Sequence, residues 1–133
     1  MRLEKDALGH LEVPQDALYG IQSVRASRNF TVTENLVHDV LIESLAQVKK
    51  AAALANVKVG ALDEEMGALI VKASDEIKDG LHQKEFITPA IQGGAGTSIN
   101  MNMNEVIANR VAQLKGEVLG SYNYCHPNDH VNK

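Results

Sequence analysis

Three stretches of the chain carry apolar residues at steps of three and four, and this spacing constrains the fold more than any other feature. Such spacing places the apolar side chains on one face of an α-helix. The first stretch predicts a long helix from Val37 to just before Gly60. The second predicts a helix that opens at Leu62-Asp63, and the third predicts a helix that is stopped by Gly116. The predicted buried positions are Val37, Leu41, Leu45, Val48, Ala52 and Ala55 in the first helix, Met66, Leu69, Ile70, Ala73 and Ile77 in the second, and Met103, Val106, Ile107, Val111 and Leu114 in the third.

The N-terminal segment and the C-terminal tail give weaker signals. Residues 2–8 alternate weakly, and Val13-Pro14 favours an extended or turned backbone. Apolar residues at roughly helical spacing over Asp16–Phe30 predict a short helix or two, although Gly20 weakens this pattern. The tail from Ser121 has no clear periodicity and is expected to be a loop. The expected fold class is therefore mainly α.

Length, charge and cysteine content exclude several classes of protein. A chain of 133 residues is long enough for one domain with a core. Its net charge of −4, with acids and bases interleaved, leaves no basic surface for nucleic acid or an anionic membrane. Cys125 is the single cysteine, so no internal disulfide can form. No apolar run approaches the ~20 residues that span a bilayer, and we expect a cytoplasmic protein without nucleic-acid or membrane partners.

A glycine-rich turn stands directly before the third predicted helix. Gly93, Gly94 and Gly96 allow backbone conformations that bring the chain close to a ligand. Thr97 and Ser98 add hydroxyl groups and are the expected N-cap. The unpaired N–H groups and the positive dipole end of a first helical turn favour a carboxylate or a phosphate. No lysine follows the turn as in a P-loop, and no Rossmann pattern is present, so nucleotide binding is not indicated.

Four asparagines lie within ten residues of the third predicted helix, although asparagine is a mediocre helix former. One interpretation is a solvated helix face. The other is a hydrogen-bonding face that holds neighbouring loops and a small polar ligand, which requires every buried amide to find partners. These residues are Asn100, Asn102, Asn104 and Asn109.

The tail contains groups that suggest two further chemistries. His126 and His130 lie four residues apart, and Asp129 or Cys125 could complete a zinc site, but the spacing fits no closed zinc module. We therefore expect no metal site, and a structural role or one polar contribution to a pocket is favoured. Cys125 beside His126 also leaves a catalytic thiol open as an alternative.

Two arginines follow the first helical segment. Arg25 or Arg28 could pair with a substrate carboxylate through two parallel hydrogen bonds. An ion pair with a nearby acid at the surface is an equally good interpretation.

Three segments of the chain resemble the aspartase and fumarase superfamily in order and spacing. They are the glycine turn with its helix, GGAGTSINMNMNEVIANR, the tail HPNDHVNK, and the N-terminal EVPQDALYGIQSVRA. The likeness covers essentially the whole chain. Fumarases resemble one another in carrying Gln-Thr-Gly-Ser-Gly-Thr at the turn, whereas this chain has Gln-Gly-Gly-Ala-Gly-Thr over residues 92–97, which favours the aspartase branch.

Two residues of the tail bear on whether the chain resembles the aspartase or the fumarase branch of the superfamily. His126 opens the second block as it does in fumarases, where several aspartases carry Asn or Ser. The Arg that fumarases have three residues earlier, at an accessory anion site, is Asn123 here. An accessory site of the fumarase kind is therefore not expected.

The resemblance implies a fold, a reaction and a set of binding residues. Residues 1–133 would be a single N-terminal helical domain with a short β-hairpin near the N-terminus, and the central helical bundle and C-terminal domain of the family would be absent. The full-length parent would be a homotetramer that converts L-aspartate to fumarate and ammonia through an aci-carboxylate intermediate. The substrate-binding residues would be Thr97, Ser98, His126 and Asn128.

The resemblance also implies what this chain lacks. The general base of the family is a serine on a mobile loop far downstream, so we expect no catalytic residue here and an inactive isolated chain. No cofactor is expected, and activation by a divalent cation stays open. Two alternatives are a fumarase-type hydratase domain and a non-catalytic assembly module.

Overall fold

The chain folds into a β-hairpin followed by four α-helices. The computed structural model describes all residues, Met1–Lys133. The strands are β1 Arg2–Asp6 and β2 Gly9–Val13, the helices are α1 Ile21–Asn29, α2 Asp39–Lys58, α3 Glu64–Lys78 and α4 Thr97–Lys115, and single turns of 3-10 and π-helix cover Gln83–Glu85 and Pro127–Val131. The mainly α fold with a short N-terminal hairpin is thereby confirmed. None of the helices is both long enough and apolar enough to cross a lipid bilayer.

A tight turn closes the hairpin, and the side chains that β1 buries against the rest of the chain are polar. The strands are antiparallel, with Asp6 opposite Gly9. Asp6 Oδ1 accepts a hydrogen bond from Leu8 N at 2.9 Å, and Gly9 takes a φ of 116°, which favours glycine. The buried side chains of β1 are Arg2 and Glu4. Because they are charged, the hydrophobic alternation of these residues is weak.

Helices α2 and α3 pack closely as a helical hairpin. Gly60 follows α2 with a φ of 74°, as expected for a C′ residue. Asp63 caps α3, since its Oδ2 accepts a hydrogen bond from Met66 N at 3.0 Å. Gly67 lies where the helices touch, and a Cβ there would overlap the side chain of Val57. The contact therefore requires glycine at this position.

The predicted buried face of α2 is wrong by about one residue. Leu41 and Val48 were expected inside, yet 52% and 60% of their surface is exposed. Apolar residues occur on both sides of this helix, so spacing alone cannot choose the face that packs. The residues that α2 buries are Ile42, Ala46, Lys49 and Ala53.

Helix α4 forms the centre of the core. It contacts α1, α2, α3 and the π-helical turn of the tail. Four of its five predicted apolar positions are fully buried, and only Leu114 is partly exposed. The buried four are Met103, Val106, Ile107 and Val111.

Helix α1 lies within Asp16–Phe30, where a short helix was predicted, and its first residue, Ile21, follows Gly20. Two buried carboxylates bind the backbone at that point: Glu4 Oε2 accepts from Ile21 N and Glu105 Oε2 accepts from Gly20 N, both at 2.9 Å. Side chains distant in sequence thus fix where the helix starts.

Candidate functional site

The glycine turn leads directly into α4, and the first side chains of this helix form no capping hydrogen bond. Gly96 is the N-cap residue, with a φ of 72° and no side-chain cap bond, so the expectation that Thr97 or Ser98 caps the helix is wrong. Gln92, which the sequence patterns did not single out, ties the turn together instead. Its Oε1 accepts from Ile99 N at 2.8 Å and its Nε2 donates to the Pro89 carbonyl at 2.7 Å.

Four hydrogen-bonding groups at the start of α4 have no partner within the chain. They are the backbone N–H groups and the side-chain hydroxyls of Thr97 and Ser98. Thr97 is exposed and Ser98 is partly exposed. Because the positive end of the α4 dipole lies at the same place, the arrangement favours a negatively charged group.

These two residues line a cavity between α4 and the C-terminal end of α1. Its volume is about 610 Å³, a size typical of small-molecule sites. Arg28 and Asn29 line the α1 side, and Met101 lies one turn along α4. No aspartate, glutamate or histidine lines it. The cavity can therefore bind an anion, but it contains no obvious proton acceptor.

The two arginines of α1 differ in their partners. Arg25 binds both carboxylate oxygens of Asp6, at 2.7 and 2.8 Å, and donates to the Gly9 carbonyl at 3.2 Å. The hydrogen bond from Arg25 lowers the pKa of the Asp6 carboxyl. Of the two interpretations given for these arginines, an ion pair with a nearby acid is therefore the one that holds for Arg25. Both arginines line the cavity, but Arg28 is exposed and forms no ion pair, so it is the cation available to a ligand.

Three of the four asparagines of α4 are buried, so the face is not a solvated one. The requirement that every buried amide find partners is met at Asn102 and Asn109 but not at Asn104, whose Oδ1 has no hydrogen-bond partner. Asn102 Oδ1 accepts from Ile87 N at 2.9 Å, and its Nδ2 donates to the Glu85 carbonyl at 2.9 Å. Asn109 Nδ2 donates to the Leu18 carbonyl at 2.7 Å. These amides therefore hold loops from two parts of the chain against α4. Asn102, Asn104 and Asn109 are fully buried.

Glu105 is a buried residue that binds the start of α1, one wall of the cavity, and the sequence patterns missed it. Its carboxylate accepts from the backbone N–H groups of Gly20, Gln22 and Ser23 at 2.8–3.1 Å and from the Ser23 hydroxyl. Burial raises the pKa of Glu105, and these hydrogen bonds oppose the rise. The sequence signal that could have found it is an acidic residue among the apolar residues of a predicted core helix.

Residues 121–126 of the tail form no helix or strand, as expected, whereas Pro127–Val131 is a π-helical turn and not a loop. His126 caps it, since its Nδ1 accepts from Asn128 N at 3.1 Å and from Asp129 N at 3.3 Å. Pro127 stands in the first turn, where its missing N–H costs nothing. His130 Nδ1 in turn accepts from His126 N at 2.8 Å. One ring nitrogen of each histidine is thus occupied by the backbone.

The structure brings together only part of the predicted set of binding residues. Thr97 and Ser98 share the cavity beside α1, whereas His126 and Asn128 lie on the tail and do not line it. His126 stacks edge-on against the Tyr122 ring, with ring centroids 6.1 Å apart. The chain contains no group of three or more His, Cys, Asp or Glu side chains placed to hold a metal ion.

Cys125 does not have the properties of a nucleophile. It is buried, and burial raises the pKa of its thiol to about 12. A thiol with such a pKa stays protonated at neutral pH and is a weak nucleophile. Cys125 is therefore part of the core, and the alternative of a catalytic thiol is rejected.

The sequence pattern of a family of lyases matches residues 9–133. The chain belongs to the aspartase and fumarase family of lyases. It is 57% identical over 132 residues to an aspartate ammonia-lyase from Bacillus sp, covering 99% of this chain and 28% of that protein. It is 51% identical over 135 residues to an aspartate ammonia-lyase from Helicobacter pylori, covering 100% of this chain and 29% of that protein. The chain thus spans less than a third of these family members.

A solved structure of the family has the same fold. The crystal structure of fumarate lyase:delta crystallin from Brucella melitensis superposes with a TM-score of 0.96 at 48% identity, covering 99% of this chain and 30% of that one. The same protein has also been solved bound to cobalt. A metal ion can therefore bind to a member of the family.

Proposed function

We propose that this chain is the N-terminal domain of an aspartate ammonia-lyase, which converts L-aspartate to fumarate and ammonia. The identity of 57% to the aspartate ammonia-lyase from Bacillus sp supports this substrate. A fumarate hydratase class II from Prochlorococcus marinus is 42% identical over 132 residues, covering 99% of this chain and 28% of that protein. The Gly93-Gly94-Ala95 sequence of the turn agrees with the aspartase branch.

The free donors at the start of α4 carry the proposal. In the reaction, a base removes a proton from the carbon next to a carboxylate, and the extra negative charge moves onto the carboxylate oxygens. Preorganised donors that bind this charge more tightly than the ground state lower the barrier. The Thr97 hydroxyl and the unpaired N–H groups of Thr97 and Ser98 are such donors. Arg28 offers a positive charge to the same cavity.

The base and the remaining walls of the site are proposed to come from the longer parent. The cavity beside Thr97 has no acid or histidine in its lining. In the proposal, a downstream serine removes the proton, and several subunits of a cytoplasmic homotetramer complete each site. His126 and Asn128 are proposed as substrate-binding residues of a neighbouring part of the assembled site.

Turnover of L-aspartate tests the proposal. The purified full-length parent should release fumarate, followed by its ultraviolet absorbance, and the 133-residue chain alone should release none. Turnover by the isolated chain would contradict the need for downstream residues. A full-length parent that does not turn over L-aspartate would contradict the proposed substrate.

A fumarase-type hydratase is the second candidate. His126 occupies the place it has in fumarases, and a class II fumarase structure from Schistosoma mansoni superposes with a TM-score of 0.93 at 38% identity, covering 98% of this chain and 28% of that one. L-malate and L-aspartate supplied separately to the parent distinguish the two, since only one should yield fumarate efficiently. Turnover of neither would favour the assembly module.

A further inference from the structure

Lys49 is a buried cation without an acidic partner. It lies on the inner face of α2, and only 7% of its surface is exposed. Lysines are rarely buried unless they are paired, because the charged form loses its hydration. Burial correspondingly lowers the pKa of the Lys49 amino group, and no carboxylate opposes this change. Packing alone therefore does not explain why a lysine is buried at this position.

The single acceptor that Lys49 finds is a side-chain amide in the tail. Lys49 Nζ donates to Asn132 Oδ1 at 2.8 Å, and Asn100 Nδ2 donates to the same oxygen at 3.1 Å. Only the oxygen of the Asn132 amide can accept from both, which fixes the orientation of that group. Asn132 therefore joins α2 to α4.

This junction lies next to the groups assigned to substrate binding. Asn100 follows Thr97 by three residues, so both lie on the same face of α4. Asn132 N also donates to the Pro127 carbonyl at 3.0 Å, which closes the turn that follows His126. Asn132 therefore links the end of the turn to α4, beside Val131, which is buried in the core.

We propose that Lys49 is a positioning residue: by holding Asn132 against Asn100, it fixes the tail 126–132 relative to the face of α4 that carries Thr97. An apolar side chain at this position would avoid the cost of burying an amine. The amine instead gives a directional bond to the segment that carries His126 and Asn128. The role of Lys49 in turnover rests on the proposed lyase function, while its effect on the tail does not.

Hydrogen exchange and kinetics of the full-length parent test this role. Lys49→Met keeps the length of the side chain and removes its donor. The amides of Val131 and Asn132 should then exchange about tenfold faster or more, because a charge-assisted hydrogen bond is lost. We expect kcat/KM for L-aspartate to fall by a similar factor. The matched control is Lys50→Met, since Lys50 binds Asp75 on α3 at 2.8 Å and should leave both quantities unchanged.

A double-mutant cycle separates positioning from general destabilisation. Asn132→Ala changes an exposed residue, so it should fold even if Lys49→Met does not. If Lys49 acts through Asn132, Asn132→Ala should reproduce the faster exchange and the lower kcat/KM, and the double variant should be no worse than either single one. Unchanged exchange in Asn132→Ala, or additive effects in the cycle, would overturn the role. A wild-type parent without aspartate turnover would reject the proposed lyase, and the exchange measurement would still decide the role of Lys49.

Discussion

Thr97 is the residue on which the proposed chemistry depends most. Thr97→Val in the full-length parent removes the hydroxyl at nearly constant volume. Since the hydroxyl has no partner in the chain, the fold should not change. We expect kcat/KM for L-aspartate to fall by about 10² or more, the usual effect of removing one donor to a developing oxyanion. Steady-state release of fumarate measures this effect.

Thr88 provides a matched control for that substitution. Its hydroxyl is fully buried and also lacks a hydrogen-bond partner, but Thr88 does not line the cavity. Thr88→Val should leave kcat/KM unchanged. It should not lower stability, because an unsatisfied buried hydroxyl contributes nothing favourable. Equal losses of activity in Thr97→Val and Thr88→Val would mean that the first acts through the fold.

The contact between α3 and α4 makes stability depend on pH through Glu76. Arg110 binds its carboxylate at 2.7 and 3.0 Å, and His82 lies 2.9 Å away. The hydrogen bond from Arg110 is the main reason that the pKa of Glu76 falls from 4.5 to about 2. Because the folded pKa is depressed, this stabilisation is complete above pH 4.5 and is lost as the pH falls towards 2.

Replacing the carboxylate should abolish that part of the pH dependence. Glu76→Gln should lower the free energy of unfolding near neutral pH by roughly 2–3 kcal/mol, and the difference from wild type should shrink as the pH falls towards 2. Urea unfolding at several pH values measures both. Glu117→Gln, at an exposed residue without a partner, should follow the wild-type profile. A constant difference across this range would contradict the assignment.

The helical hairpin of α2 and α3 depends on Gly67. In Gly67→Ala, the new Cβ would overlap the stiff, branched side chain of Val57 and push the helices apart. We expect a loss of about 1–3 kcal/mol, as for other overpacked contacts. Val57→Ala should relieve most of this loss when combined with Gly67→Ala. A double variant as unstable as the sum of both changes would show that the helices do not meet in this way.

At the level of elements, α3 and α4 follow from the sequence much better than α1 and α2. In α3, Met66, Ile70 and Ile77 stand on the single apolar face, and that face is the one that packs. In α2, Leu41 and Ile42 are equally apolar neighbours, so only the position of α3 decides which one is buried. The start of α1 depends on carboxylates far away in sequence, which no local pattern contains.

At the scale of the whole molecule, buried carboxylates and amides hold the site in place. Glu105 accepts hydrogen bonds from residues 20–23, and Asn109 donates one to the Leu18 carbonyl, in each case across more than eighty residues of sequence. The sequence predicts that Thr97 and Ser98 follow a glycine turn, because this depends on neighbours along the chain. It does not predict that Arg28 faces them, because that depends on how α1 is held against α4.

The outer face of α2 exposes several large apolar side chains. Leu41, Val48 and Leu54 are each more than half exposed on it. An exposed apolar surface of this kind favours association. Sedimentation of the isolated chain should therefore show an average mass that rises with concentration. In the double variant Leu41→Lys and Val48→Lys the rise should be much weaker, while Leu3→Lys, at an exposed residue of the hairpin, should leave it unchanged. A monomer at every concentration would mean that this face does not drive association.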